Sequence, residues 1–364
     1  MTIKSTISLL ALLVLVVLIY ISLPLVFNPD PEYQTELKYG KPLPIHIQSV
    51  LTPTVVPKRI RSIMVLKDEK VLYEYGPTDK IMFGASTRKS FLALLYGIAI
   101  EKGLIDINKT LAELGIDENT PLSDQEKTAT IRDLLMWRSG IYLPAKGEHD
   151  DQITMRPSRD SHKPGTYFFA NNFDANALGT IFIQETGYSI GGFMEEYLAK
   201  PLGMQDFDSD NVIMGNPWFW PDSIDSKHDM YNMYLSTRDF ARIGAMVANR
   251  GRWNGAQVVP ENWVIESTKP HSDLTNNHRS YGRYDAFGYV WFIDNDTGTV
   301  WTDGYGGHFM LIDLARNLTL VERNFTGNSY LSTGLWLMNG NFDQSLGSLI
   351  KAHQLIVQSL DGEK

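Results

Sequence analysis

The chain has 364 residues, a formal charge of −9 at pH 7 and no cysteine. This length can bury one large core, or two lobes that meet at a cleft, and it exceeds that of a small binding module. The negative charge opposes a nucleic-acid partner, and the lack of cysteine excludes disulfides, thiolate metal sites and a cysteine nucleophile. The eight histidines form no close pair along the sequence, so we expect no metal and no organic cofactor.

The first 27 residues are expected to form a transmembrane anchor or a signal sequence. Residues 7–27 are almost entirely apolar, with Lys4 before them and the acidic Asp30 and Glu32 after them. An apolar stretch of this length can cross a bilayer, and the basic residue belongs on the cytoplasmic side. The pattern favours an uncleaved anchor over a cleaved signal peptide. We therefore expect the remainder of the chain on the extracytoplasmic side, in a periplasm or outside the cell.

Residues 28–58 contain scattered prolines and little periodicity, so they predict a linker or arm before a folded domain at 59–362. The domain begins with a predicted hairpin and ends with further predicted strands. These strands are Ile60 to Leu66, Val71 to Tyr75, Gly288 to Ile293, Thr299 to Thr302, His308 to Asp313 and Leu318 to Arg323. Helices are predicted between them, so the fold class is α+β, with a mostly antiparallel sheet assembled from both ends of the chain.

The segment Ser86-Thr87-Arg88-Lys89 is the most informative feature for function. It opens a predicted helix that is apolar nearly all round, as expected for a buried helix. Positions three apart share a helical face, so the Lys89 amine can reach the Ser86 hydroxyl and accept its proton if the ammonium is partly desolvated. The pattern predicts Ser86 as a nucleophile and Lys89 as its general base. A second copy, Ser348 to Lys351, falls in a predicted amphipathic surface helix over 342–360 and is interpreted as structural.

Further segments accompany this tetrapeptide in a fixed order. They are Phe83-Gly84-Ala85, Thr130 to Leu135 with Arg138-Ser139-Gly140, Pro164-Gly165-Thr166, Asn171 to Gly179, Pro201 to Met204, Ser236 to Asp239 and Gly304 to His308. With this order and spacing, residues 60–345 resemble the serine β-lactamase and penicillin-recognising superfamily, in its class C-like branch of esterases, peptidases and 6-aminohexanoate-dimer hydrolases. The resemblance implies a β-lactamase-like α/β fold with a mostly helical second lobe. It also implies acyl-enzyme chemistry on a small-molecule ester, amide or peptide.

The same resemblance assigns further site residues. Asn172 matches an amide that steadies the lysine and touches the substrate, although an asparagine there could also cap a helix. Tyr305-Gly306-Gly307 matches the third family motif, in which glycines let the backbone approach a ligand closely. The N–H groups of His308 and Ser86 would then be the oxyanion donors, and a plain glycine turn is the alternative. The cation common in this motif is absent, which favours substrates that lack a carboxylate.

One family motif is altered in this chain. The family has Tyr-x-Asn, whose phenol relays a proton, where this chain has Ala170-Asn171-Asn172. Alanine has no proton to transfer, so another group must act or the activity is reduced. Tyr167 and Tyr305 are the candidate substitutes. The resulting expectation is an exported, membrane-tethered serine hydrolase, and the alternative is a catalytically impaired binding or sensor protein with the same fold.

Overall fold

The computed structural model describes residues 3–26, 29–52, 60–215, 224–275, 284–338 and 346–362. The helices are α1 (Ile3–Ser22), α2 (Ile45–Leu51), α3 (Arg88–Glu101), α4 (Leu111–Leu114), α5 (Ile131–Leu135), α6 (Asp150–Thr154), α7 (Asn172–Thr186), α8 (Ile190–Met194), α9 (Lys200–Leu202), α10 (Thr237–Ala248), α11 (Glu261–Ser267), α12 (Tyr330–Met338) and α13 (Leu346–Gly362). The strands are β1 (Lys38–Tyr39), β2 (Arg61–Lys67), β3 (Lys70–Tyr75), β4 (Met82–Phe83), β5 (Val212–Met214), β6 (Tyr231–Leu235), β7 (Arg252–Trp253), β8 (Ala256–Gln257), β9 (Ser272–Asp273), β10 (Ala286–Phe287), β11 (Phe292–Asp294), β12 (Thr299–Gly304), β13 (His308–Asp313) and β14 (Leu318–Asn324).

A large sheet forms the centre of the domain, with described strands in the order β1-β3-β2-β14-β13-β12-β11-β10-β9. Its neighbouring strands are antiparallel, except that β1 runs parallel to β3. β2 and β14 pair over their whole lengths, from Lys67 opposite Leu318 to Arg61 opposite Asn324. This pairing joins the two ends of the domain and confirms the predicted mostly antiparallel sheet.

Helices cover both faces of the central strands. α10 packs against β14, β2 and β13, whereas α13 packs against β14 and also against α2. A Cβ at Gly244 on α10 would lie 2.5 Å from Cγ2 of Thr319 on β14, so glycine is what lets this helix approach the sheet. Every residue of β13 and β14 is buried, as expected for strands that are covered on two sides.

One predicted strand boundary differs in the structure. The strand predicted over Gly288 to Ile293 begins only at Phe292, because the Gly288 N–H donates to the Trp291 carbonyl and closes a turn. Val290 in that turn has a φ of +59°, which a strand does not allow. Apolar residues that enter a buried turn have the same composition as a strand, so sequence alone did not separate the two.

Part of the predicted linker is folded onto the domain. Within 28–58, β1 pairs with β3 through Lys38 opposite Lys70. α2 follows, and its Ile47 and Leu51 are 0% exposed. Their spacing of four places both side chains on one helical face, which packs into the main core. These residues are therefore not a free arm, and 53–59 lie outside the described residues.

α1 covers much of the predicted anchor. Its side chains from Leu12 to Tyr20 are exposed, with 57% for Leu12 and 64% for Tyr20. Of the helices in the described part of the chain, none combines the length and the apolar character that crossing a bilayer requires. The transmembrane anchor stays a prediction from the sequence.

Candidate active site

Ser86 lies in a strained turn that follows β4. β4 pairs with β6, and the N–H of Gly84 donates to the carbonyl of Met233 at 2.8 Å. One turn of 3₁₀ helix, Ala85–Thr87, comes next. Ala85 has a φ of +48°, a left-handed conformation that costs a residue with a Cβ about 1–2 kcal/mol. The predicted nucleophile therefore lies just before α3 and not within it, and it stays partly accessible while both neighbours are buried.

Lys89 lies in the first turn of α3 and is buried, with 5% exposure. Its Nζ donates to Oδ1 of Asn172 at 2.7 Å and lies 5.3 Å from the centre of the Trp137 ring. The helix is buried along nearly all of its length, because Phe91 to Ile98 are apolar apart from Gly97. The structure thus brings together two predicted site residues that are 83 positions apart in sequence.

Asn171 and Asn172 have different tasks at the start of α7. Oδ1 of Asn171 accepts the N–H of Asp174 at 2.8 Å, so Asn171 is the helix cap. The amide of Asn172 instead accepts from Lys89 through Oδ1 and donates through Nδ2 to the carbonyls of Gly147 and, at 3.3 Å, Lys146. The capping role that was the alternative for Asn172 therefore belongs to its neighbour.

The short helix α6 and the residue before it lie beside the Lys89–Asn172 pair. Gln152 on α6 is buried, and its Nε2 lies 3.2 Å from the carbonyl of Ala170 and 3.5 Å from Oδ1 of Asn172. Its Oε1 accepts the backbone N–H of His149 at 3.1 Å. The His149 ring in turn lies 5.4 Å from the ring of Tyr305. These contacts connect the lysine to Tyr305.

The glycine-rich segment forms a tight hairpin turn between β12 and β13. Gly304 pairs with His308, and Gly306 and Gly307 have φ values of +96° and +86°. A Cβ at Gly304 would lie 2.8 Å from the Gly84 carbonyl and 3.1 Å from Cβ of Ala85. The glycine turn that was the plain alternative is present, and it packs directly against the turn that holds Ser86.

The two candidate substitutes for the missing tyrosine lie in different surroundings. Ala170 is buried, with 3% exposure. Tyr167 is 41% exposed and stacks on His162 with ring centres 4.0 Å apart. Tyr305 lies on the hairpin turn between His149 and Trp336, whose ring centre is 5.8 Å away. Burial raises the pKa of the Tyr305 hydroxyl, so the phenol keeps its proton at neutral pH.

The side chain of His308 points into the core. Its Nδ1 accepts from Nε of Arg323 at 3.1 Å, and both side chains are 0% exposed. Burial, together with the charge of Arg323, holds the pKa of His308 well below its ordinary value, so the imidazole is neutral. Burial also lowers the pKa of Arg323 to about 9. Only the backbone N–H of His308 is thus suited to the role predicted for this residue.

A buried carboxyl lies in the first turn of α7. Asp174 is 0% exposed, and its Oδ1 accepts the hydroxyl of Ser139 at 2.6 Å. Desolvation raises the pKa of Asp174 to about 8, although the bonds from Ser139 and Asn171 oppose the shift. The group is therefore mostly protonated at neutral pH and adds little charge near Lys89.

Sequence reasoning did not identify Gln152, Arg323 and Asn324. Glu322 and Arg323 interrupt an apolar strand, and ions in a strand buried on both faces indicate a specific partner. Gln152 lies on α6, a helix of five residues that is too short for a periodic pattern, so no sequence pattern marked it. Across the described residues, no cluster of His, Asp and Glu side chains is placed to bind a metal ion.

Known proteins resemble this chain over most of its length. An uncharacterized protein of Alkalihalophilus pseudofirmus is 25% identical over 260 residues, covering 65% of this chain and 71% of that protein. Protein flp of Staphylococcus aureus is 25% identical over 297 residues, which are 71% of this chain and 58% of that protein.

Solved structures share the fold at low sequence identity. A protein named as a 6-aminohexanoate-dimer hydrolase from Bacillus anthracis has a TM-score of 0.59 and 18% identity, covering 90% of both chains. A family VIII carboxylesterase has a TM-score of 0.56 and 16% identity, covering 81% of this chain and 91% of its own. The sequence model of the beta-lactamase family matches residues 60–321. With this match over most of the chain and the same fold in its structural relatives, the protein belongs to the beta-lactamase family.

Proposed function

We propose that this protein is a serine hydrolase that cleaves an ester or amide through an acyl-enzyme on Ser86. The observation on which this depends is the buried Lys89, bonded to Asn172 and one turn from Ser86. Asn172 presents a neutral amide oxygen to Lys89, and such an oxygen stabilises an ammonium less than a carboxylate would. An ammonium that is stabilised less loses its proton more readily, and the resulting neutral amine can act as a general base.

The proposed reaction has two halves. Oγ of Ser86 attacks the carbonyl carbon, its proton passes to the Lys89 amine, and the carbonyl oxygen takes the negative charge. The N–H groups of Ser86 and His308 stabilise that oxyanion. The bond to the leaving group then breaks as that group takes the proton from the Lys89 ammonium, and water hydrolyses the acyl-enzyme to release the acid and regenerate Ser86.

The substrate is proposed to lack a carboxylate next to the scissile bond. Where a cation would bind such a carboxylate, this chain has Tyr305 between His149 and Trp336. Three aromatic rings favour an apolar or planar group. The relatives named as a carboxylesterase and as a 6-aminohexanoate-dimer hydrolase make simple esters and linear amides the first substrates to test.

The location of the enzyme stays a prediction. The apolar residues 7–27 with Lys4 before them favour a membrane tether and an extracytoplasmic domain. Fractionation of cells that express the full chain, with protease added from outside, would test this. Protein that is wholly in the soluble cytoplasmic fraction would refute it.

A fluorophosphonate probe tests the proposed chemistry. Labelling should be stoichiometric at Ser86 by peptide mapping, and p-nitrophenyl esters should turn over. Ser86→Ala and Lys89→Met should both abolish labelling, whereas Ser348→Ala, in the second Ser-x-x-Lys segment, should leave it unchanged. An unlabelled Ser86 in a folded protein would instead favour the binding or sensor protein, for which Ala170 is the supporting observation.

A further inference from the structure

Arg323 and Asn324, neighbours at the end of β14, contact the two segments that carry the proposed oxyanion donors. Nδ2 of Asn324 donates to the carbonyl of Gly307 at 3.1 Å. That carbonyl belongs to the same peptide unit as the N–H of His308. Because a trans peptide is planar with its C=O and N–H pointing in opposite directions, a bond that orients one also orients the other.

Arg323 contacts both halves of the site. Its Nε donates to the ring of His308 at 3.1 Å, and its Nη2 donates to the carbonyls of Met82 at 3.0 Å and Phe83 at 3.1 Å. Met82 and Phe83 are β4, which leads directly into the turn of Ser86. The guanidinium of Arg323 therefore links β4, which ends shortly before Ser86, to His308, whose N–H is the second proposed oxyanion donor.

Burial of Arg323 stabilises its contacts with β4 and His308. The guanidinium of Arg323 is 0% exposed and lies 4.3 Å from the ring centre of Phe240. A buried cation is stable only when its donors are satisfied, so moving either carbonyl or the imidazole away carries a large cost. Donor geometry that is held before the reaction is what makes an oxyanion site effective.

We propose that Arg323 and Asn324 are positioning residues of the oxyanion site, which together hold the N–H groups of Ser86 and His308 at the separation that the reaction requires. This inference rests on the proposed function. Neither side chain takes or gives a proton in the reaction. Their effect is on kcat, because an oxyanion exists in the transition state and not in the bound ester.

Arg323→Met and Asn324→Asp test the proposal. Asp has the shape of Asn but cannot donate to the Gly307 carbonyl. Each variant should lower kcat by about a hundredfold, with KM changed by less than about threefold, which is the range seen when one oxyanion donor is lost. The double variant should lose less than the product of the two single losses, because both act on the His308 N–H.

The matched control is Arg242→Met. Arg242 lies on α10, outside the site, and is also 0% exposed. Its guanidinium donates to the Leu202 carbonyl and to Gln205, both at 2.9 Å. It should lower the melting temperature as Arg323→Met does, but the kcat per fluorophosphonate-labelled site should stay near the wild-type value. Equal kcat losses in both arginine variants would overturn the proposal.

A second measurement separates positioning from general loss of structure. Sulfur accepts hydrogen bonds poorly, so the rate ratio of a p-nitrophenyl ester to its thiono analogue reports oxyanion binding. That ratio should fall at least about tenfold in the two variants and stay constant in Arg242→Met. An unchanged ratio would overturn the proposal even if kcat falls.

Crystal structures of the variants give a readout that needs no activity. The Ser86 N to His308 N distance should change in Arg323→Met and stay constant in Arg242→Met. An unchanged distance would contradict the positioning role. Failure of the proposed function looks different, because then the wild-type protein itself would neither label at Ser86 nor hydrolyse esters.

Discussion

Nζ of Lys89 lies 2.7 Å from Oδ1 of Asn172, and the same amide donates through Nδ2 to the carbonyls of Lys146 and Gly147. The orientation of the Asn172 amide is therefore set by the loop, so that its oxygen faces the lysine. A neutral oxygen acceptor is thereby presented to the amine that we propose as the base.

Asn172→Asp should change the pH dependence of hydrolysis. A carboxylate beside the amine favours the ammonium, so the acidic limb of the kcat/KM profile should move to higher pH by about 1–3 units. Asn176→Asp is the control, because Asn176 lies one turn further along α7 and donates to the same Lys146 carbonyl at 3.1 Å. Equal shifts in both variants would show that the Lys89 contact is not responsible.

Ala170→Tyr should raise the hydrolytic rate if the proton relay is what the chain lacks. A positioned phenol contributes about 10²-fold or more in general acid–base catalysis. Ala170→Phe adds the same ring without the hydroxyl to a position with 3% exposure, so it controls for crowding. Steady-state turnover of a p-nitrophenyl ester measures both, and similar rates for the two variants would contradict the expectation.

Tyr305→Lys should shift the substrate preference toward carboxylates. The new ammonium would lie on the hairpin turn between His149 and Trp336, where a charge-assisted hydrogen bond is worth about 1.5–3 kcal/mol. The acylation rate by benzylpenicillin, relative to an uncharged ester, should therefore rise at least about tenfold. Tyr305→Phe should not change that ratio. If the ratio rises equally in Tyr305→Phe, the loss of the phenol and not the new ammonium is responsible.

Gly306→Ala should destabilise the protein more than a glycine change in open space. Its φ is +96°, and a Cβ would lie 2.5 Å from Cγ2 of Thr326. The strain and the overlap together should cost about 2–4 kcal/mol of unfolding free energy in urea. Gly298→Ala has a φ of +67° with nothing within 4 Å, so it should cost only about 1 kcal/mol. Equal losses would mean that Thr326 moves aside freely.

Asp174→Asn should flatten the pH dependence of stability. The folded pKa of about 8 lies above the ordinary 3.8, so between these values the native chain keeps a proton that the unfolded chain has released. Wild-type stability should therefore fall as pH rises through this window, by at most about 1.4 kcal/mol per unit. Urea unfolding at pH 5, 6 and 7 measures the slope. Asp106→Asn, at an exposed position, should keep the wild-type slope, and a wild-type slope in Asp174→Asn would disprove the expectation.

Local patterns predicted much of the fold. The hairpin of β2 and β3 and the strands from β12 to β14 depend on contacts between residues close in sequence, and propensity and periodicity report such contacts. The turn at Val290 and the packing of α2 were not predicted, since both depend on what distant residues leave uncovered. Apolar residues in a turn and in a strand are indistinguishable until the sheet is assembled.

The sequence by itself determined that Ser86 and Lys89 lie three residues apart at the start of a buried helix, that no cysteine chemistry is available and that position 170 lacks a phenol. Only the tertiary structure decided that Asn171 caps α7 while Asn172 binds Lys89, and that Arg323 contacts the backbone before Ser86 while Asn324 contacts the backbone before His308. The reason is physical. Spacing along one helix is set by local geometry, whereas a contact between residues 83 or 240 positions apart exists only after burial of the core has brought the two segments together.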